Sequence, residues 1–374
     1  MNADTFHPCI HVFTNYWIAP KVQLACENIK SFLFNDPNFK TSFEGPFGRA
    51  QVSIQTEMTV AEFSGHSKVS DAFDLLDQRL DALFEAGFAV HLLLPLHEFP
   101  KDPYWQGIDW TKYKNSWPGG FFDPYQPSLN ADNCAYDLLS ELFQKPIIEH
   151  LIETGRMENI SVIYLLNEFA YPSNTLLDNA SNWDNDPDWK NIRAQALFQT
   201  AKRILNNGRT YANGSVPVGL KFAELISPNT GFTPWNSEQP DQLENITNLM
   251  RDNDDVFAYD LYFNDGNNFD EPNRNRILPF LKDFKPGFFE IGESAYWCEG
   301  GPDQFTVGRR TNADDISGAV SAWEIPKGYN LFGWNTGSCF AIADDSTQLP
   351  YPDSFEEAKG IIKLIEMVTG KSVF

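Results

Sequence analysis

Two places in the chain carry a carboxylate directly behind a long apolar run. At the first, Ile160 to Leu166 breaks off into Asn167-Glu168. At the second, Phe288-Phe289-Glu290-Ile291-Gly292 leads into Glu293. Two carboxylates converging on a cleft can divide the work of splitting a glycosidic bond. One stays protonated and donates to the leaving oxygen, while the other is ionised and meets the oxocarbenium-like centre. Mutual repulsion and partial burial drive such a pair apart in pKa and so give each a role. A single Glu at a strand end is as readily a helix cap or an ion-pair partner, so the case rests on there being two.

The elements that would position them recur along the chain. Strand-like runs lie at Cys9 to Phe13, Ala50 to Gln55, Phe88 to Leu94, Ile160 to Leu166, Pro217 to Phe222, Val256 to Leu261, Phe288 to Gly292 and Tyr329 to Gly333. A helical pattern follows each. Ser70 to Ala86, for example, sets Phe73, Leu76, Leu80, Leu83 and Phe84 on one stripe between a Ser70 cap and a Gly87 stop. Strict alternation implies parallel pairing through helical crossovers. The chain is therefore expected to form a (β/α)8 TIM barrel with long βα loops, as a single catalytic domain over residues 1–374. An open doubly wound sheet is the rival, but no glycine-rich phosphate loop follows the first strand. In a barrel the site lies at the C-terminal strand ends, and both carboxylates fall there, after the fourth and seventh strands.

At this point the motifs have a relative. Asn167-Glu168 after the fourth strand and Gly292-Glu293 after the seventh resemble the clan-A glycoside hydrolases, the superfamily of the cellulases and mannanases. The resemblance implies that Glu168 is the general acid/base, Glu293 the nucleophile and Asn167 the partner of the sugar 2-hydroxyl. It implies retaining hydrolysis of a β-linked poly- or oligosaccharide by double displacement, of the endo-acting glucanase or mannanase type. Tyr262, in Asp260-Leu261-Tyr262-Phe263-Asn264, matches the Tyr that the clan places against its nucleophile. Trp334, in Phe332-Gly333-Trp334-Asn335, matches the clan's platform beneath the sugar. The clan's Arg at the end of the second strand has no counterpart, because Arg49 precedes that strand and its end reads Gln55-Thr56-Glu57.

Glu290 competes with Glu293, since Glu290-Ile291-Gly292 also resembles the clan's Glu-x-Gly form. Ending at Glu290 would leave a strand of about three residues where five or six are usual. Alternation sets Glu290 and Glu293 on opposite faces, so only one would enter the cleft. Glu293 is preferred.

Further sugar contacts are expected from His11 on the first strand and His97 after the third. The stretch from Glu98 to Asn133 is rich in aromatics, Trp105 and Trp117 among them, and a loop this long is usually functional. Aromatic faces stack on the C–H faces of pyranose rings, and the same residues would equally pack into a cover over the barrel mouth.

Composition narrows the partners. A formal net charge of −23 repels polyanions, which argues against nucleic acid and against acidic membranes. A neutral sugar substrate, and a monomeric enzyme, are the expectations. No metal or cofactor is expected, for no ligand spacing or phosphate cradle is present, and Asp252 to Asp255 reads as a turn rather than a calcium loop. Five scattered cysteines suggest free thiols, and the start of the chain shows no signal-peptide pattern. Two other classes stay open. A non-catalytic carbohydrate-binding barrel would keep the aromatics, and a barrel aldolase or isomerase would need a lysine, for which Lys221 is the candidate.

Overall fold

Ile160–Leu166, seven residues without a charge, forms the fourth of eight parallel strands. The computed structural model describes residues 7–12, 42–45, 48–96, 100–111, 135–167, 187–223, 240–264, 268–269, 288–296 and 331–338. Side chains are described at Cys9 and over 52–96, 100–111, 135–167, 198–222, 245–259 and 288–290. The barrel strands are β1 His7–Val12, β2 Ser53–Glu57, β3 Ala89–Leu93 and β4 Ile160–Leu166, followed by β5 Val218–Ala223, β6 Val256–Asn264, β7 Phe288–Tyr296 and β8 Leu331–Ser338. Each pairs in parallel with its neighbours, β8 joins β1, and β6 pairs with β7. The sheet therefore closes on itself, and the (β/α)8 barrel read from the sequence is the fold. Closure removes every free edge, the part of a sheet most open to unwanted pairing.

Several strand limits differ from the sequence reading, three of them near the candidate site or its neighbours. Ala50 belongs to an antiparallel hairpin, Ser42–Gly45 with Gly48–Gln51, and β2 begins only at Ser53. β7 does not stop at Gly292 but runs to Tyr296, because a register shift between Ile291 and Glu293 takes up one residue and pairing with β6 resumes. β8 does not stop at Gly333 but continues to Ser338, where Thr336, Gly337 and Ser338 pair with Ile10, His11 and Val12.

The helices form as amphipathic covers. Helix α1, Val60–Ser64, is capped by Thr59, whose Oγ1 accepts from the Glu62 amide at 3.1 Å. Helix α2, Val69–Glu85, buries Ala72, Leu76, Leu80 and Leu83. Each buried leucine contributes about 1.5–3 kcal/mol. Its N-cap is Lys68 rather than Ser70, which lies inside the first turn with its hydroxyl 3.3 Å from Asp71. Gly87, at φ +87°, ends the helix as expected. Helix α3 runs from Ala135–Leu139 through a π-helical turn, Ser140–Gln144, into Lys145–Glu153. Helices α4, Pro187–Ala212, and α5, Pro240–Arg251, follow.

The turn after α5 holds an ionisable group in an unusual place. Asp255 is 1% exposed beneath Arg209 of α4, whose Nε donates to its Oδ1 at 2.9 Å. Asp254 beside it takes φ +57°. Asp255 thus serves an ion pair and a turn. Burial pushes its carboxyl up from 3.8 to about 6, against the opposing pull of Arg209. A carboxyl raised in the folded state contributes stability that is whole below pH 4 and is lost as pH rises through about 6. The contribution is on the order of 3 kcal/mol. Urea unfolding of Asp255→Asn and the parent at pH 4 and pH 7 should show the variant gaining by that order on the parent as pH rises. A difference that does not change with pH would contradict this account.

Candidate active site

Alternation along the strands separates two sets of side chains. Phe222, Phe257 and Phe289 stack in sequence across β5, β6 and β7, with centroids 4.8 and 6.4 Å apart. They face the helix layer. Their neighbours Lys221, Ala258 and Glu290 share one register level and therefore face the bore.

The bore is filled by polar groups as well as apolar ones. Leu93, Val162, Tyr164, Val256, Ala258 and Phe288 form a buried cluster within it. Lys221 Nζ donates to Gln55 Oε1 at 3.0 Å, reaching from β5 to β2. The Tyr164 hydroxyl donates to Glu290 Oε2, and His91 Nδ1 lies 3.2 Å from Glu290 Oε1. His91, Lys221 and Glu290 are each wholly buried. A glycine makes room for the tyrosine: a Cβ on Gly219 would sit 2.6 Å from the Val256 carbonyl oxygen and 2.8 Å from the Tyr164 ring. Tyr164 precedes Asn167 by three residues, and Glu290 precedes Glu293 by three. The strands bearing the two candidate carboxylates therefore touch across the bore one layer below them.

Asn167 is the first residue beyond β4. It is half-buried, and its Oδ1 is shielded from solvent with no hydrogen-bond partner among the described residues. Glu168, His97 and Trp117 lie outside the described residues. Glu293 lies within β7, where the register shift sets it opposite Asp260 of β6. Glu290 is opposite Ala258, two residues earlier. The three-residue step from Glu290 to Glu293 on β7 thus spans only two residues of β6, so simple alternation does not carry across Gly292. What distinguishes them is depth. Glu290 is at the buried level of the bore, whereas Glu293 stands further toward the C-terminal end of β7.

The other expected contacts divide. Tyr262 is on β6 opposite Ala295, two residues beyond the partner of Glu293. His11 is on β1, opposite Gln55 and Gly337. Trp334 is not at the end of its strand: it pairs with Pro8 and Ile291 in the middle of β8, one position off the bore-facing level of Glu290 and Gly333. Trp105 packs inward. Its ring, 7% exposed, stacks on Trp110 at 6.0 Å and meets Phe63 edge-on at 5.8 Å. Trp110 Nε1 also donates to its carbonyl at 3.0 Å. This part of the loop is its own small core, and the exposed aromatic there is Tyr104, at 64%. Lys221, the candidate for an aldolase or isomerase, is sealed within the bore rather than presented at a strand end.

Sequence reasoning missed the connections in the bore. His91 and Lys221 were visible as single polar interruptions of apolar strands, a signal sufficient to place them inside the barrel. No local signal pointed to Gln144 of α3, which is wholly buried against the ends of β3 and β4.

No family model matches the chain, and no curated protein matches it in sequence. Solved structures do resemble it. The catalytic domain of a β-amylase from Paenibacillus polymyxa superposes with a TM-score of 0.58 at 11% identity, covering 96% of this chain and 99% of that one. A family 1 β-glucosidase from Thermotoga maritima gives 0.53 at 11% identity, over 92% of this chain and 86% of the other. A β-galactosidase from Rahnella sp. R3 gives 0.56 at 12% identity, over 98% of this chain but 57% of its own. Identities this low show a shared fold, a (β/α)8 barrel.

Proposed function

We propose that the chain is a retaining glycoside hydrolase of the clan-A type acting on a neutral β-linked poly- or oligosaccharide. The observation that carries this reading is the contact between Tyr164 and Glu290 across the bore. It brings β4 and β7 together immediately below the ends that bear Glu168 and Glu293. In the proposed mechanism Glu293 attacks the anomeric carbon while Glu168 protonates the departing oxygen, and a glycosyl-enzyme forms. Glu168 then takes a proton from water, which releases the sugar with its configuration retained. Asn167 holds the 2-hydroxyl, with its shielded Oδ1 as an acceptor for it. Tyr262 donates to Glu293 from the adjacent strand. Glu290 is wholly buried against His91 and Tyr164, and this supports Glu293 as the nucleophile. Two of the structural neighbours are named as a β-glucosidase and a β-galactosidase, which supports the proposed class of substrate.

The test is reducing-sugar release across a panel of plant and algal polysaccharides, followed by NMR of the first-formed anomer on the best substrate. Release from a β-linked glycan with net retention is expected. Net inversion would overturn the two-step mechanism, since inverting carboxylates stand about 6.5–9.5 Å apart rather than about 5–5.5 Å. Binding without release from any glycan would leave a carbohydrate-binding barrel in its place.

A further inference from the structure

Helix α3 carries two polar side chains, Ser140 and Gln144, within a buried face that is otherwise apolar. Phe143, Ile147, Ile148 and Leu151 are each wholly buried, and so is Gln144. Gln144 Nε2 donates both of its hydrogens, at 2.8 Å to the Leu94 carbonyl and at 2.7 Å to the Leu165 carbonyl. Leu94 is the residue just beyond β3, and Leu165 is the next to last of β4. The pairing of β4 with β5 slips between Tyr164 and Leu166, so Leu165 is the residue left over by that irregularity. Its carbonyl is turned toward the helix layer, where Gln144 receives it. Leu94 is already tied to β4 through its own amide, which donates to the Tyr164 carbonyl at 2.8 Å.

Packing alone does not account for this residue. Its Oε1 is buried with no partner among the described residues, which costs about 1–3 kcal/mol that a leucine here would not incur. Reversing the amide would set Oε1 against two carbonyl oxygens, so the orientation is fixed by the strand ends themselves. The π turn that carries Gln144 is a rare helical form, frequent at functional sites.

We propose that Gln144 is a positioning residue for the acid/base carboxylate. It clamps the ends of β3 and β4 together and so fixes the course of Leu165, Leu166 and Asn167, the residues that lead into Glu168. The inference rests on the role proposed for Glu168. Displacing a catalytic group by about 1 Å costs on the order of 100-fold in rate.

The test compares Gln144→Leu, which removes both donors, with Leu151→Ala, which loosens the same helix one turn or more away. Both are assayed at a temperature where circular dichroism shows them folded, on the substrate found with the panel. Gln144→Leu is expected to lower kcat about 10- to 100-fold with KM nearly unchanged, and to displace the basic limb of the pH profile of kcat/KM. Leu151→Ala is expected to lose stability and keep both. If Gln144→Leu keeps the parent kcat and pH profile, the clamp does not position the carboxylate and the proposal falls. Should the parent release no sugar at all, the glycosidase reading fails by itself, and hydrogen exchange then judges the clamp. Amides of 160–167 should exchange faster in Gln144→Leu than in Leu151→Ala, and equal exchange would overturn it.

Discussion

Glu293→Gln is expected to lower kcat by at least about 10³-fold, with Glu168→Gln falling nearly as far on substrates with poor leaving groups. The amide keeps the size of the carboxylate but cannot bond covalently to the anomeric carbon, so no glycosyl-enzyme forms. Glu168→Gln fails differently. An activated aryl glycoside needs no proton on its leaving oxygen, so its first step should survive and the intermediate should accumulate as a burst. Added azide, which needs no general base, should then restore turnover in Glu168→Gln. Steady-state and burst kinetics of both variants check this. Parent rates in Glu293→Gln would remove it from the mechanism altogether.

Glu290→Ala is expected to act on stability instead, by about 3–5 kcal/mol. The side chain is wholly buried and holds the Tyr164 hydroxyl and His91 Nδ1. Removing it deletes a hydrogen bond from each of two buried polar groups and opens a cavity, and both terms have the same sign. Glu290→Gln retains the volume and an acceptor, so it should cost less. Urea unfolding measures the difference. Its companion assay, kcat per folded molecule, should drop far less than in Glu293→Gln. A stability change below about 1 kcal/mol in Glu290→Ala would mean that the bore tolerates the gap.

The fold was legible because strands such as Ile160–Leu166 and Ala89–Leu93 are apolar runs and helices such as Val69–Glu85 are striped, and both patterns are local. Ile160–Leu166 was readable to the residue, since charge or turn residues bound it on either side. The ends of β7 and β8 were not, because a strand continues as far as its partner offers hydrogen bonds. Tyr296 is in the sheet on account of Phe263, and Ser338 on account of Val12. The bore network was hidden for a similar reason. Its contacts join residues 126, 166 and 199 positions apart, which no spacing rule can pair. Trp105 illustrates a further limit, that aromatic content does not tell a sugar platform from a ring buried on Phe63. Asn167-Glu168 was found because an apolar strand ending abruptly in two polar residues is itself a local pattern.

The polar groups of the bore have a consequence for how such a protein changes over generations. Gln55 answers Lys221, and Glu290 answers both Tyr164 and His91, all without access to water. A replacement at one of these positions removes a hydrogen bond from the group opposite it, whereas a matched replacement at both ends can restore the fit. These residues therefore diverge as sets, and the acceptable identity at one depends on the other.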